Sequence, residues 1–213
     1  MAHFAQVLKK FERISLCQII DSLGPSQEFE SEIKPIGPNF RLCGPAFTVS
    51  CPADDNLTLH HALHAAKPGE ILVVSGRGSC KTALWGELMS TSARARGLGG
   101  TIIDGAVRDS LELEAIGYPV FARTTVPRRA TKEKYGELGT TIRCGRLQVN
   151  PGDIIFADIN GITAIAPDKL EETLFLATET VKKEAAMKKK IRMGLSIFEI
   201  LNLESKIPKG KIK

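Results

Sequence analysis

The sequence predicts a single α/β domain, and three observations carry that expectation. Apolar, β-branched runs that read as strands alternate with segments of helical periodicity through the middle of the chain. The 213 residues are 43% hydrophobic and 25% charged, a globular composition large enough for a sizeable core. Neither an internal repeat nor a low-complexity linker divides them. No run reaches the roughly 18 apolar residues of a membrane-spanning helix, and the first ten residues lack a signal-peptide apolar stretch, so a soluble cytoplasmic protein is expected.

The elements follow in order. Ser15-Leu16-Cys17-Gln18 has the form of a capping box, and Leu16, Ile19, Ile20 and Leu23 recur at helical spacing before Gly24-Pro25 ends a short first helix. Residues 44–51 read as a strand. Asp54 or Asp55 then caps a helix that runs to Ala66 and is closed by Lys67-Pro68-Gly69. Residues 70–75 form a buried strand. The next helix runs to about Arg96 and ends at Gly97, leading into a strand over 100–104. Residues 118–122 are a further strand, and the polar stretch 123–137 has the composition of a surface loop. Beyond it, short strands are punctuated by Asn150-Pro151-Gly152-Asp153 and by Asn160-Gly161, the latter a hairpin-turn pair between 154–157 and 162–165. A long helix spans Pro167 to about Lys190, with Leu170, Leu174, Ala177 and Val181 on one face, and a basic tail occupies about 205–213.

Charge and cysteine usage remove several functions. Residues 182–213 hold 10 basic and 3 acidic side chains, a charge of +7, so the remaining 181 residues carry −2 of the +5 total. The basicity belongs to a solvated terminal helix and tail, and with only 6% aromatic residues no nucleic-acid partner is expected. Five widely spaced cysteines, Cys17, Cys43, Cys51, Cys80 and Cys144, contain no C-x-x-C pair and read as reduced, mostly buried thiols. His60 and His64 share a helix face, yet the glutamate of H-E-x-x-H is missing and no third ligand can be named. Gly76-Arg77-Gly78-Ser79 follows a strand but completes neither phosphate-loop motif, and no G-x-S-x-G elbow is present.

Residues 85–112 are richer. After Trp85-Gly86-Glu87-Leu88-Met89 come a helix and a strand, and then Asp104-Gly105-Ala106-Val107-Arg108-Asp109-Ser110-Leu111-Glu112. Read locally, Asp109-x-x-Glu112 is a capping box, Arg108 a surface ion-pair partner and Glu87 a first-turn glutamate favoured by the helix dipole. The wider spacing offers another reading: Glu87, twenty residues, Arg108-Asp109, two residues, Glu112.

That spacing resembles the D/E-x20-R-D-x2-E/D signature of the metal-dependent pyruvate aldolases related to the regulator of ribonuclease E activity. The family is typified by 4-hydroxy-4-methyl-2-oxoglutarate / 4-carboxy-4-hydroxy-2-oxoadipate aldolase. The blocks Gly44-Pro45-Ala46-Phe47-Thr48-Val49, Pro68-Gly69-Glu70-Ile71-Leu72-Val73-Val74, Pro119-Val120-Phe121-Ala122 and Val149-Asn150-Pro151-Gly152-Asp153 also resemble the family, in family order, and the likeness covers about residues 15–200.

The resemblance implies a layered α/β/β/α domain with mixed β-sheets, assembled as a homotrimer or homohexamer. It implies that Arg108 binds the carboxylate and enolate side of a pyruvyl group and that Asp109 ligates Mg²⁺, Mn²⁺ or another divalent metal. Glu87 and Glu112 would hold metal-bound waters, and Glu87 joins Arg108 in catalysis. Gly86 and the backbone amides of Leu88 and Met89 would meet the substrate carboxylate. Such a site is chemically coherent, because a hard cation keeps several waters and needs few carboxylates. The enolate left when a bond beside a 2-oxo group breaks is stabilised by fixed positive groups, which also serves oxaloacetate decarboxylation. A Schiff base on Lys81 has no apolar setting to support it, and no methyl-donor site supports a methyltransferase. A neighbouring subunit's acid could join proton transfer, with Glu28, Glu30, Glu32, Glu199 and Glu204 as candidates. The competing reading is a non-catalytic regulator that binds a ribonuclease.

Overall fold

The computed structural model describes residues 2–208. It opens with a helix the sequence reading lacked, α1 (Ala2–Phe11), on which Phe4, Val7, Leu8 and Phe11 turn inward at helical spacing. Next comes α2 (Leu16–Leu23), with the expected reciprocal cap: Gln18 N donates to Ser15 Oγ at 3.3 Å and Ser15 N to Gln18 Oε1 at 3.0 Å. Gly24, at φ 83°, ends it.

The chain then builds β1 (Lys34–Pro35), β2 (Leu42–Ser50), α3 (Leu57–Ala65), β3 (Ile71–Ser75), β4 (Ala83–Trp85), α4 (Glu87–Ala95), β5 (Gly100–Val107), α5 (Ser110–Ile116) and β6 (Val120–Thr125). The second half adds β7 (Glu137–Leu138), β8 (Ile142–Cys144), β9 (Leu147–Val149), β10 (Ile154–Asp158), β11 (Gly161–Ile165), α6 (Leu170–Arg192) and α7 (Ile197–Ile200). Short 3₁₀ turns sit at Pro167–Lys169 and Leu203–Lys206.

The main sheet runs β1-β6-β5-β3-β2-β10-β11, with β4 paired to β5 and β7 to β2. Its centre, β2 to β6, is parallel, whereas β10 joins β2 antiparallel. β2 manages both by dividing its length: residues 42–45 pair with β10 and 46–50 with β3. Residues 30–35 nearly close the sheet, since Glu30 bridges to Ile162 on β11 while Lys34 and Pro35 pair with β6. The result is the mixed α/β architecture expected.

Period-two alternation builds the layers. On β3, Leu72 and Val74 face α3, α4 and α5, while Ile71 and Val73 face an inner core that includes Ile142, Leu147 and Ile155. On the opposite side, α1, α2 and α6 cover β10 and β11 through Phe11, Ile19, Phe156 and Leu170. Leu174, Ala177 and Val181 on α6 join that layer, the face the sequence assigned.

Four local expectations are corrected. The cap of α3 is Asn56, not Asp54 or Asp55; Asp54 adopts φ 63° and Asp55 turns away to residues 131–134. The hairpin loop is Ile159-Asn160, one residue earlier than read, because Asp158 pairs with Gly161 and its Oδ1 accepts from Asn160 N at 2.8 Å. Residues 123–137 are no free loop: β6 takes the first three, and Ala130 is buried. Cys17 and Cys80 are exposed, whereas Cys51 and Cys144 are buried as expected of core thiols. Among the described residues no helix is long and apolar enough to cross a membrane. Of the basic tail, 209–213 lie outside the described residues.

Candidate active site

β4 and β5 run parallel, so their carboxyl ends bring residue 86 beside residues 108 and 109. Trp85 closes β4 as a buried side chain whose Nε1 donates to Ser90 Oγ at 2.6 Å, fixing the start of α4. Arg108 N donates to Trp85 O at 3.0 Å, which ties the two strand ends together. Gly86 is then the N-cap residue of α4. Its φ of −167° is ordinary extended backbone, so glycine is required by space alone. A Cβ there would lie 2.6 Å from Asp109 Oδ2, 3.0 Å from Arg108 Cγ and 3.2 Å from Arg108 Nε.

Asp109 resolves the ambiguity of the local pattern. Its backbone is left-handed, φ 62° and ψ 45°, and its side chain makes no capping hydrogen bond to α5. Instead Asp109 Oδ2 accepts the Glu87 amide at 3.1 Å and lies 3.4 Å from Arg108 Nε. The capping box read from Asp109-x-x-Glu112 is therefore absent, because an N-cap needs extended dihedrals that this residue does not have. Aspartate tolerates the left-handed region better than most residues, though at some cost in strain. Asp109 Oδ1 accepts no hydrogen bond from the described residues.

The structure thus brings Gly86, Glu87, Arg108 and Asp109 to one corner. Glu87 and Glu112 are both exposed, in the first turns of α4 and α5. Among the described residues no group of three or more His, Cys, Asp and Glu side chains gathers closely enough to hold a metal. A cation at this corner would take Asp109 as its direct protein ligand and fill its remaining positions from water and substrate, a donor set that suits Mg²⁺ or Mn²⁺. The amides of Leu88 and Met89 lie in the first turn of α4, where the helix supplies no acceptor and the dipole favours an anion. Leu88 is 78% exposed and Met89 buried.

A cavity of about 240 Å³ opens beside this corner, lined by Gly86, Glu87 and Arg108 on one side. The lining also holds His60, which the sequence reading named, and Asn56, Arg129 and Lys132, which it missed. No local motif marks them, because the segment that carries two of them is placed by contacts far along the chain. Ala83 N donates to Arg128 O at 2.7 Å, Asn56 N to Thr131 O at 3.0 Å, and Ala130 N to Ala83 O at 3.2 Å. His60 is held below its ordinary imidazole range by burial and then by the charge of Lys132. His64, on the same helix face, lies exposed.

Other candidates have separate duties. Glu30 is buried, and burial alone would push its carboxyl up. The amides of Glu32 and Arg146, at 2.6 and 2.8 Å, together with Arg123, hold it below the usual range instead. Glu32 pairs with Arg123 Nη1 at 2.6 Å. Glu199 caps its own helix through Ser196, and Glu28 and Glu204 are exposed. Residues 76–79 form a turn in which Ser79 Oγ donates to Asp54 Oδ1 at 2.7 Å, and Lys81 is exposed.

The family described as RraA-like, Aldolase/RraA, matches residues 15–164. A protein of Halalkalibacterium halodurans, provisionally named a 4-hydroxy-4-methyl-2-oxoglutarate aldolase, is 32% identical over 184 residues, 86% of this chain and 88% of that one. A solved structure of an uncharacterised Pseudomonas syringae protein shares the fold at TM-score 0.83 and 24% identity, covering 92% of each chain. The RNA-processing inhibitor RraA of Thermus thermophilus superposes at TM-score 0.63 with 29% identity, over 68% of this chain and 89% of that one. With the family matched across most of its length and a relative above 30% identity spanning nearly all of it, the chain belongs to the RraA-like family, which holds both aldolase-named proteins and regulators of RNA processing.

Proposed function

We propose that the chain is a divalent-metal-dependent lyase that cleaves 2-oxo acids of the 4-hydroxy-4-methyl-2-oxoglutarate kind to pyruvate and also decarboxylates oxaloacetate. The observation that carries this reading is the Gly86/Arg108/Asp109 corner, where a left-handed aspartate leaves the helix it could cap and takes the Glu87 amide and Arg108 instead, next to a cavity that Gly86, Glu87 and Arg108 line. A Mg²⁺ or Mn²⁺ ion held by Asp109, with Glu87 and Glu112 reaching it through water, would supply Lewis-acid polarisation of the 2-oxo oxygen.

The chain's own groups do the rest. The Arg108 guanidinium faces the cavity with a side chain 41% exposed, free to meet a carboxylate and the charge that develops as the carbon-carbon bond breaks. The first-turn amides of α4 orient the same carboxylate. Glu87 is the one carboxylate among the residues lining the cavity, so its oxygens are placed to take the proton of the substrate hydroxyl. Trp85 and Met89 supply apolar walls that keep part of the cavity dry. Leu88 and Leu111, 78% and 77% exposed at the first turns of α4 and α5, suit a second subunit packed beside the site, in keeping with the expected trimer or hexamer.

The test is pyruvate release from 4-hydroxy-4-methyl-2-oxoglutarate and from oxaloacetate, with Mg²⁺ and with EDTA. Arg108→Ala is expected to lower kcat/KM by about 100- to 1,000-fold, the usual loss on deleting one donor to a developing oxyanion. Activity that survives both EDTA and Arg108→Ala overturns the reading. Likeness to the Thermus inhibitor favours the alternative of a non-catalytic, protein-binding regulator. Tight ribonuclease binding that is indifferent to Asp109→Ala, with no lyase activity, would establish it.

A further inference from the structure

The inner core ends in a charged mouth. Strand alternation puts Ser75 two residues after Val73 on β3, Asp104 two after Ile102 on β5, and Arg123 two after Phe121 on β6; Val73, Ile102 and Phe121 all belong to the inner core. The three strands are parallel, so these polar residues gather towards their carboxyl ends, where α/β sheets characteristically bind ligands. With Arg77 and Arg143 they line a cavity of about 360 Å³. This space shares no lining residue with the cavity beside Arg108, which abuts Leu84, Trp85 and Met89 of the helical layer.

Its charges are unevenly matched. Arg123 is satisfied: Nε donates to Asp104 Oδ1 at 2.5 Å and Nη1 to Glu32 Oε2 at 2.6 Å, and Glu32 also lies 3.8 Å from Arg146. Glu30, buried behind them, accepts from the amides of Glu32 and Arg146. Arg77 and Arg143 make no ion pair among the described residues, and Arg143 has only the Arg146 carbonyl, at 3.5 Å. Four arginines thus meet three acids, and the two arginines without counter-ions both line the cavity. Arg77 also adopts φ 58°, a left-handed conformation that a long side chain takes at a cost and for which glycine is the default. It sits between Gly76 and Gly78 in the loop whose glycines complete no phosphate-loop motif. A strained, unpaired arginine aimed at no partner in its own chain fits a side chain kept for a ligand.

We propose that this mouth binds a phosphate group, as the free ion or on a small monoester, through Arg77 and Arg143 beside the Arg123–Asp104 pair. Charge selects phosphate over carboxylate. Two unmatched guanidiniums suit an anion of about −1.5 to −2 with oxygens enough for both forks, whereas a carboxylate would leave one cation unmet. The site does not depend on the lyase reading and stands if that reading fails.

Calorimetry on the EDTA-treated protein, with inorganic phosphate as the probe, is expected to show one saturable site. Arg77→Gly removes the guanidinium and the backbone strain together, so it should weaken binding by about tenfold or more while Tm stays close to that of wild type. Arg143→Ala, at an exposed position, should weaken binding similarly. Arg108→Ala and the exposed α6 pair Lys189→Ala/Lys190→Ala should bind phosphate as wild type does. Acetate should bind about tenfold more weakly than phosphate. Glycerol 3-phosphate identifies the source: tighter binding than phosphate assigns a monoester, and equal or weaker binding assigns the free ion. Absence of saturable phosphate binding, its loss through Arg108→Ala or the α6 pair with retention in Arg77→Gly, or equal affinity for acetate overturns the inference.

Discussion

Asp55 and Asp109 occupy similar places in the sequence, each just before a helix, and the structure uses them in opposite ways. Asp55 is 1% exposed and saturated: it accepts from the amides of Leu57, Glu133 and Lys134 and from the Thr131 hydroxyl. Asp109 sits in a left-handed conformation, accepts one amide, and leaves an oxygen open beside an arginine. The first arrangement stores folding free energy. The second gives up some stability to keep a charge available, a pattern characteristic of sites that wait for a ligand.

The largest expected effect is the difference between removing one and removing the other. Asp55→Ala strands four part-buried donors and frees residues 131–134, so urea unfolding should show a loss of about 3 kcal/mol. Asp109→Asn keeps an acceptor for the Glu87 amide and a residue type that tolerates positive φ. Its stability should stay within about 1 kcal/mol of wild type while Mg²⁺ affinity, read by calorimetry, is lost. Equal destabilisation by the two substitutions would make Asp109 a structural residue and remove the contrast.

Gly86→Ala sharpens the same contrast from the other side. The added methyl would meet Asp109 Oδ2 at 2.6 Å with no backbone strain to complicate the result. The carboxylate must move, so kcat/KM for pyruvate release is expected to fall about ten- to 100-fold, with stability changed by about 1 kcal/mol. A variant with full activity would show that the tight Gly86–Asp109 approach is packing without function.

How much of this was legible in the sequence depends on how far each residue's partners lie along the chain. Ser15 and Gln18 meet within one helical turn, so their capping box could be read directly and was found intact. Asp109-x-x-Glu112 carries the same local signature and fails, because its backbone is set by the β5 end and by Glu87, 22 residues earlier. Only the resemblance of the Glu87 to Arg108-Asp109 spacing to a family signature implied that these residues meet. The wall of Asn56, Arg129 and Lys132 had no such spacing to betray it. Its segment reads as polar loop by composition and is ordered by hydrogen bonds spanning more than 70 residues, such as Thr131 Oγ1 to Asp55. The Asn160-Gly161 turn shows the smaller error of register, where turn chemistry located the hairpin and Asp158 chose which two residues form its loop.

The smallest effect distinguishes the two aspartates without touching either ligand or substrate. Burial would raise the Asp55 carboxyl, but hydrogen bonds from Thr131, Leu57, Glu133 and Lys134 outweigh it and bring the pKa down to about 2. A carboxyl whose folded value lies below its unfolded value of about 3.9 stabilises the fold fully above that value and loses its contribution as pH falls through the folded one. Stability should therefore drop between about pH 4 and pH 2, with Asp55 supplying about 1 kcal/mol of the drop once solvent screening is allowed for. In Asp55→Asn, whose side chain cannot titrate, that part of the acid slope should vanish. An acid slope of the same steepness in Asp55→Asn and wild type would mean that the saturated carboxylate contributes through its geometry alone.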